Sequence, residues 1–441
     1  MALNGGTVRF APSSGDGFRT LSLGTIDGGG SFYMNTDAAG MQGDFIDVAG
    51  SASGSYLLHV ANTGAEPAQT EDALRLVRTG GGDAGFTLNG GRVDIGAWQY
   101  TLVRNGNEWD LVQAGTGPAP DPEPEPDPEP GPEPEPGPST SASTDAVLSM
   151  ASAPRFMFYG ELSSLSARAQ SVRGGHQSGV WGTYLHNGDR VQGALQSAYR
   201  LQQDGLMLGA DVARDNAHGS LVTGAFVSSS SGRVKHARGG KSRIDAWGGG
   251  LYATQQSGTG WYADAVLKLN RFENSLSARM GDGADVSGSW NSWGYGGSLE
   301  AGRQLQYSGG LSLTPYVSLT GYQNQSGRVE LSNGMTASTC TGRSVRAEAG
   351  ARAAATLSAG GVPVTPYLRA ALTQELAKGG TVRINDRYDF ADDFAGSGAR
   401  AGAGVSVSVT PAATLWLDAG WARGERSESP VSASTGVKIV F

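Results

Sequence analysis

From Gly179 to the final residue, Phe441, apolar residues alternate with small or polar ones almost without interruption. A period of two is that of a β-strand, whose successive side chains point to opposite faces. At the end of the chain Val437, Ile439 and Phe441 alternate with Gly436, Lys438 and Val440. Before them Leu415, Leu417, Ala419 and Trp421 alternate with Trp416, Asp418 and Gly420, and Ala401, Ala403, Val405, Val407 and Val409 with Arg400, Gly402, Gly404, Ser406 and Ser408. Further back Val345, Ala347, Ala349 and Ala351 oppose Arg346, Glu348, Gly350 and Arg352. The region is a succession of strands, one face apolar, the other small and sparsely charged.

The composition of the polar face separates two architectures. A soluble sandwich turns that face to bulk water and fills it with Lys, Glu and Thr. Here it is rich in Gly and Ser, with isolated charges of both signs: Asp264, Lys268, Glu300, Arg346, Glu348, Arg352, Arg369, Glu375, Arg400, Asp418 and Lys438. That suits the polar lumen of a transmembrane barrel, whose apolar face meets lipid. The charges are expected to form a salt-bridge network within the lumen, not an acid–base site.

Connection lengths are an independent test. Twelve strands begin near residues 179, 193, 219, 244, 260, 291, 310, 344, 362, 398, 413 and 432. Connections from even to odd strands are tight, as at Gln255–Gly260, Gln306–Gly310, Ser358–Pro363 and Thr410–Ala413, whereas residues 273–290, 324–343 and 377–397 read as long loops. Short turns on one rim and long loops on the other characterise outer-membrane barrels. Seven of the nine Trp fall in this region, with Trp181, Trp261, Trp290 and Trp293 near strand ends, where interfacial girdles lie. The expectation is an all-β fold, a twelve-stranded antiparallel outer-membrane β-barrel over residues 176–441. An even strand count puts both barrel ends on the short-turn, periplasmic rim.

Three segments precede the barrel. Residues 143–175 read as a helix, with Phe158, Leu162 and Leu165 at helical spacing, Thr144-Asp145 as a cap, Pro154 as a break or restart and Gly174-Gly175 as the stop. Directly ahead of the first strand, this helix is expected to span the pore. Residues 116–142 form a linker in which Pro alternates with acidic residues or Gly from Pro118 to Pro138. Proline at every second position forbids helix and ladder, leaving an extended polyproline spacer of about 65 Å. Residues 1–115 carry short β-prone runs such as Tyr56–Val60 and Ala73–Val77, bounded by turn signals such as Asn89-Gly-Gly. Their spacing fits a β-solenoid or a small sandwich.

The formal charge of −8 is mostly local to the linker, where Asp121, Glu123, Glu125, Asp127, Glu129, Glu133 and Glu135 meet no basic residue. The folded parts are near neutral, which excludes the concentrated basic face of a nucleic-acid binder. The one cysteine, Cys340, makes neither an internal disulfide nor a metal cluster. The five His are scattered, and no Gly-x-Ser-x-Gly elbow is present. Gly239-Gly-Lys-Ser242 ends like a phosphate-binding loop, but Lys235 stands where its first Gly belongs; the stretch reads as a basic loop within reach of lipopolysaccharide phosphates. No cofactor is expected. Residues 1–6 show neither the basic nor the apolar region of an export signal, so a longer precursor is expected.

Further motifs, taken in order, resemble a pertactin-type autotransporter over almost the whole chain. They are Val93-Asp-Ile-Gly96, Tyr100-Thr-Leu, Trp109-Asp-Leu-Val112, Phe158-Tyr-Gly-Glu161 with Leu165, Gly179-Val-Trp-Gly182, Leu208-Gly-Ala-Asp211, Leu299-Glu-Ala-Gly302, Pro366-Tyr-Leu-Arg369 and the terminal Phe441. The resemblance implies an outer-membrane translocator and anchor that exports an N-terminal passenger to the surface of a Gram-negative cell, without bond chemistry. It implies that residues 1–115 are the last passenger rungs and an autochaperone junction, and that Phe158, Tyr159, Glu161, Leu165 and Arg168 belong to the pore helix. It further implies that Val437, Ile439 and Phe441 are read by the barrel assembly machinery. Periplasmic chaperones, outer-membrane lipid and lipopolysaccharide, and host surface molecules met by an adhesive or immune-evasive passenger are the implied partners. Some members of the family cut the passenger free at an Asn-Asn pair in the helix; no Asn occurs between Asn107 and Asn187. The competing reading is a porin or adhesin barrel carrying an unrelated N-terminal domain.

Overall fold

The computed structural model describes every residue except 12–16, 63–65, 69–71, 116–138, 172–176, 194, 196 and 340. The Pro-acidic stretch, Gly174-Gly175 and Cys340 lie outside the described residues. The chain divides into two compact units, Met1–Asp145 with Ala278–Val286, and Ala146–Ser277 with Ser287–Phe441.

The first unit is a β-solenoid. Strands Ala2–Arg9, Asp27–Asp37, Ser55–Asn62 and Gly85–Leu88 pair in parallel, each on the next. Thr20–Leu23, Phe45–Ala52 and Leu74–Gly82 form a second parallel stack. Parallel rungs rule out the sandwich, whose neighbouring strands would run antiparallel. Equivalent residues fall in columns, such as Val8–Phe32–Leu58–Leu88. Phe32, Leu58 and Ile46 are fully buried. The stack ends on an antiparallel hairpin, Trp98–Asn105 with Glu108–Gln113, whose Trp109 ring sits 4.9 Å from that of Phe86. Beyond the linker the chain returns to this hairpin: the Gln99 amide donates to the Ser139 carbonyl at 2.9 Å, and the Ser141 amide to that of Ala97 at 2.9 Å.

Helix α1 spans Ala142–Ser171 without a break. Its cap is Ser141, whose Oγ accepts the Thr144 amide, three residues before the Thr144-Asp145 pair expected to serve. Pro154 neither breaks nor restarts the helix. An interior proline costs about 3 kcal/mol in an isolated helix. Here the neighbouring turns, Ala153, Met157 and Phe158, are fully buried, and that packing outweighs the lost hydrogen bond.

The second unit is the barrel. Its strands are β1 (Gly179–Gln192), β2 (Ala198–Asn216), β3 (Gly219–His236), β4 (Lys241–Gln256), β5 (Trp261–Arg279), β6 (Asp285–Arg303), β7 (Leu311–Asn324), β8 (Gly342–Ala355), β9 (Val362–Glu375), β10 (Gly396–Thr410), β11 (Ala413–Gly424) and β12 (Ser427–Val440). Each pairs with its neighbours, and β12 pairs with β1 from Val440↔Gly179 onward, so the twelve-stranded sheet is closed. Closure removes every free edge, the condition for a sheet to lie in lipid. The large apolar side chains face outward: Leu267, Leu368 and Leu372 are 68%, 66% and 71% exposed.

Three expectations change. Most of 273–290 is not loop, because β5 continues to Arg279 and β6 resumes at Asp285. Alternation persists there, but the outward residues Glu273, Ser275, Ser277 and Arg279 are polar and so read as loop. Residues 324–343 and 377–397 hold two hairpins, Gly327–Glu330 with Thr336–Thr339 and Gly380–Ile384 with Tyr388–Asp392, joined in one four-stranded sheet. Trp181 is no girdle residue: it is buried inside the barrel, and Trp290 shares the inward register of its strand. Trp261 and Trp293 do face outward.

Trp181 points inward because its neighbour makes room. It pairs with Gly209 of β2, where a Cβ would lie 2.4 Å from the indole ring. Trp416 seats in the same way on Gly436, with 2.3 Å for the added carbon. The glycine-rich inner face is thus partly a set of seats for aromatic rings.

Candidate functional site

The barrel interior is filled by α1. The helix is buried on nearly every side although it carries Arg155, Glu161, Arg168 and many Ser, because the wall it meets is polar. Gly160 lets it approach closely, since a Cβ there would fall 2.4 Å from both Asn187 Nδ2 and Gln203 Oε1.

Two charged anchors tie the helix to β1–β5. Glu161, fully buried, accepts hydrogen bonds from Ser228 Oγ at 2.8 Å, Ser230 Oγ at 2.6 Å and Asn270 Nδ2 at 3.3 Å, and pairs with Lys268 Nζ at 2.8 Å. The Lys268 ammonium also sits 4.5 Å from the centre of the Phe158 ring. A buried carboxylate is tolerable only when paired and hydrogen-bonded in this way. About two turns further on, Arg168 forms an ion pair with Asp211 between the rings of Trp181 and Tyr252, at 4.8 and 4.9 Å. Asp211 takes a second cation, Lys438, at 2.9 Å and a hydrogen bond from the Tyr252 hydroxyl at 2.9 Å. Leu165 packs with Trp181, Leu185, Met207 and Tyr252.

The other wall holds the helix more loosely. Arg400 donates to Ser163 Oγ at 2.8 Å and pairs with Glu348 at 2.8 Å. The Arg346 guanidinium covers the Tyr159 ring at 3.9 Å. Arg369 pairs with Asp418 at 2.7 Å, Arg352 lies 3.8 Å over Tyr367, Glu375 accepts from Ser344 Oγ at 2.8 Å, and Glu300 accepts from Tyr262 at 2.9 Å. Between this wall and the helix lie cavities of about 140 and 70 Å³, sharing Ser163, Arg346, Arg369 and Arg400; Asp264 lines the smaller. Charged side chains line both, and each is large enough for water.

At the seam Val437 pairs with Gly182, Ile439 with Val180, and the Phe441 amide donates to the Ser178 carbonyl at 3.1 Å, its ring 84% exposed. Sequence reasoning did not single out Asp211, Ser228, Ser230, Gln203 or Asn270. Strand parity puts each on the inward face, so the signal was present, but only Asp211 stood in a quoted motif.

A family model described as the autotransporter beta-domain matches residues 180–420, and one described as pertactin matches residues 1–113. The whole chain aligns with the autotransporter adhesin/invasin TibA of Escherichia coli at 41% identity, covering 49% of that protein, and with the autotransporter CRAC of Citrobacter rodentium at 40%, covering 28%. The chain thus spans half or less of the length of these relatives. The translocator domain of the autotransporter NalP from Neisseria meningitidis superposes with a TM-score of 0.54 at 13% identity, over 67% of this chain and all of that domain. With a closed barrel of twelve strands, a helix in its lumen and a parallel solenoid ahead of it, the chain belongs to the autotransporter family, as an outer-membrane translocator that exports a passenger.

Proposed function

We propose that the barrel keeps its N-terminal unit at the cell surface, with α1 running up the lumen from the short-turn, periplasmic rim. The observation that carries this reading is the pairing of Glu161 with Lys268 inside the lumen, directly ahead of a first strand that starts at that rim. A helix so fastened leads the chain from periplasm to exterior and plugs the pore it passed through. The passenger's work on this reading is adhesion to host surface molecules, without bond chemistry; one relative is named an adhesin/invasin. The barrel assembly machinery, after delivery by periplasmic chaperones, reads the outward apolar residues of the last strand together with Phe441.

Protease added to intact cells that export the chain tests the orientation. The N-terminal unit is expected to be degraded while a barrel fragment survives and shows a gel-mobility shift on boiling. A protected N-terminal unit beside the same heat-shifted barrel overturns the surface orientation.

A further inference from the structure

The outer wall of β1–β4 is sorted by row. Cross-strand partners align as Leu206–Ser229–Trp247, then Asp204–Ser231–Asp245, then Gln202–Arg233–Arg243, and finally Arg200–Lys235–Lys241 nearest the ends of the long strands. Like charges placed directly opposite one another destabilise a sheet, their Cβ atoms being about 5 Å apart. Arg233 and Arg243 each have a carboxylate, Asp204 at 3.0 Å and Asp245 at 2.8 Å. The last row has none: among the described residues, Arg200, Lys235 and Lys241 form no ion pair, and all three are exposed. Arg190 extends the row on β1 opposite Arg200 and pairs with Glu428 at 3.4 Å.

Position adds to charge. Two residues advance a strand by about 7 Å, or about 5 Å along the membrane normal at the tilt of such barrels. The unpaired row therefore lies on the order of 15 Å above Trp247, whose ring is 62% exposed at the upper edge of the apolar band. That is the level of the sugar-phosphate layer of the outer leaflet. We propose that this row is a docking surface for the phosphates of lipopolysaccharide, with Arg200, Lys235 and Lys241 as the cations that hold them. Three strands fix the spacing of the cations, so a phosphate bridging two of them relieves the repulsion built into the sheet. The proposal rests on the long-strand rim facing the cell exterior, which the protease experiment reads separately.

The test uses the full chain folded in neutral detergent micelles, where orientation plays no part. Bisphosphorylated lipid A, its dephosphorylated form and phosphatidylglycerol are titrated in the presence of a divalent-cation chelator, and bound lipid is counted by native mass spectrometry. The chain is expected to prefer bisphosphorylated lipid A. The R200Q/K235Q/K241Q variant, with its heat-dependent mobility shift intact, is expected to bind it roughly a hundredfold more weakly. R200K/K235R/K241R is expected to bind as the parent does. Should the triple neutral variant fail to fold, K235Q alone carries the test with a loss of about fivefold. Unchanged binding in the neutral variant overturns the proposal. So does equal binding of phosphatidylglycerol, which any cationic surface gives, or binding lost on chelation, which assigns the site to Asp204 and Asp245 through a bridging metal ion.

Discussion

Both units alternate with period two, yet in opposite senses. In the solenoid the apolar residues of each rung turn inward, and Phe32, Ile46 and Leu58 are sealed from solvent. In the barrel Leu368 and Leu372 point out, and the interior holds Glu161, Lys268 and Asp211. The backbone geometry does not decide the sense; the size of the enclosure does. Stacked rungs bring facing walls close enough for Val, Leu and Phe to meet. Twelve strands enclose more than wall side chains alone can fill, so the lumen takes a helix and polar groups while lipid receives the apolar side. Alternation thus identifies a strand, and only its surroundings tell which face is the core.

The comparison can be broken at its strongest point, the charged interior. Glu161→Gln leaves the Lys268 ammonium buried without a counter-charge and is expected to cost about 3–5 kcal/mol, read as an earlier midpoint of the heat-dependent mobility shift. Removing both charges, as Glu161→Gln with Lys268→Met, should restore most of the loss. An unaltered single variant would mean that the lumen solvates charge as freely as a surface does. The outward face is the next place to probe: Leu372→Arg should destabilise the folded barrel by about 2–4 kcal/mol in lipid, whereas Thr87→Arg, on the exposed face of the solenoid, should be silent in urea unfolding. Equal costs at the two sites would erase the distinction between a lipid-facing and a water-facing strand. The smallest effect concerns packing within the lumen. Gly209→Ala crowds the Trp181 ring and is expected to cost about 1–3 kcal/mol by the same mobility assay, recovered when Trp181 is shortened to Leu. No loss on Gly209→Ala would show that the ring has space to move.

The strand count, the closure and the asymmetry of the two rims were legible because each follows from local alternation and turn chemistry. What escaped was non-local. Trp181 and Trp290 read as girdle residues from their place near strand ends, although parity with Val180 and Trp293 turns both inward. The seats that receive such rings, Gly209 and Gly436, become visible only when the register between two strands is known. Pro154 looked like a break because helix propensity is a local quantity, and the packing that overrides it comes from strands far along the chain. Residues 273–279 read as loop because a strand above the apolar band turns polar residues outward, the reverse of the pattern that marks the rest of the wall. At the lumen site, the charges were visible one by one, whereas the partners Ser228, Ser230 and Asn270 are ordinary polar residues until the helix arrives beside them.

The seam between β1 and β12 carries a consequence for timing. Gly179 pairs with Val440, so the circumference is completed only when β12 joins β1. α1 comes ahead of every barrel strand in the chain, and side chains of β1–β5 meet its two charged anchors. A pore whose final ladder joins its first and last strands is a clasp: it stays open sideways until that ladder forms, then shuts on whatever it holds. A helix already beside its side of the wall when that ladder forms is spared the passage of its buried charges through a finished hole.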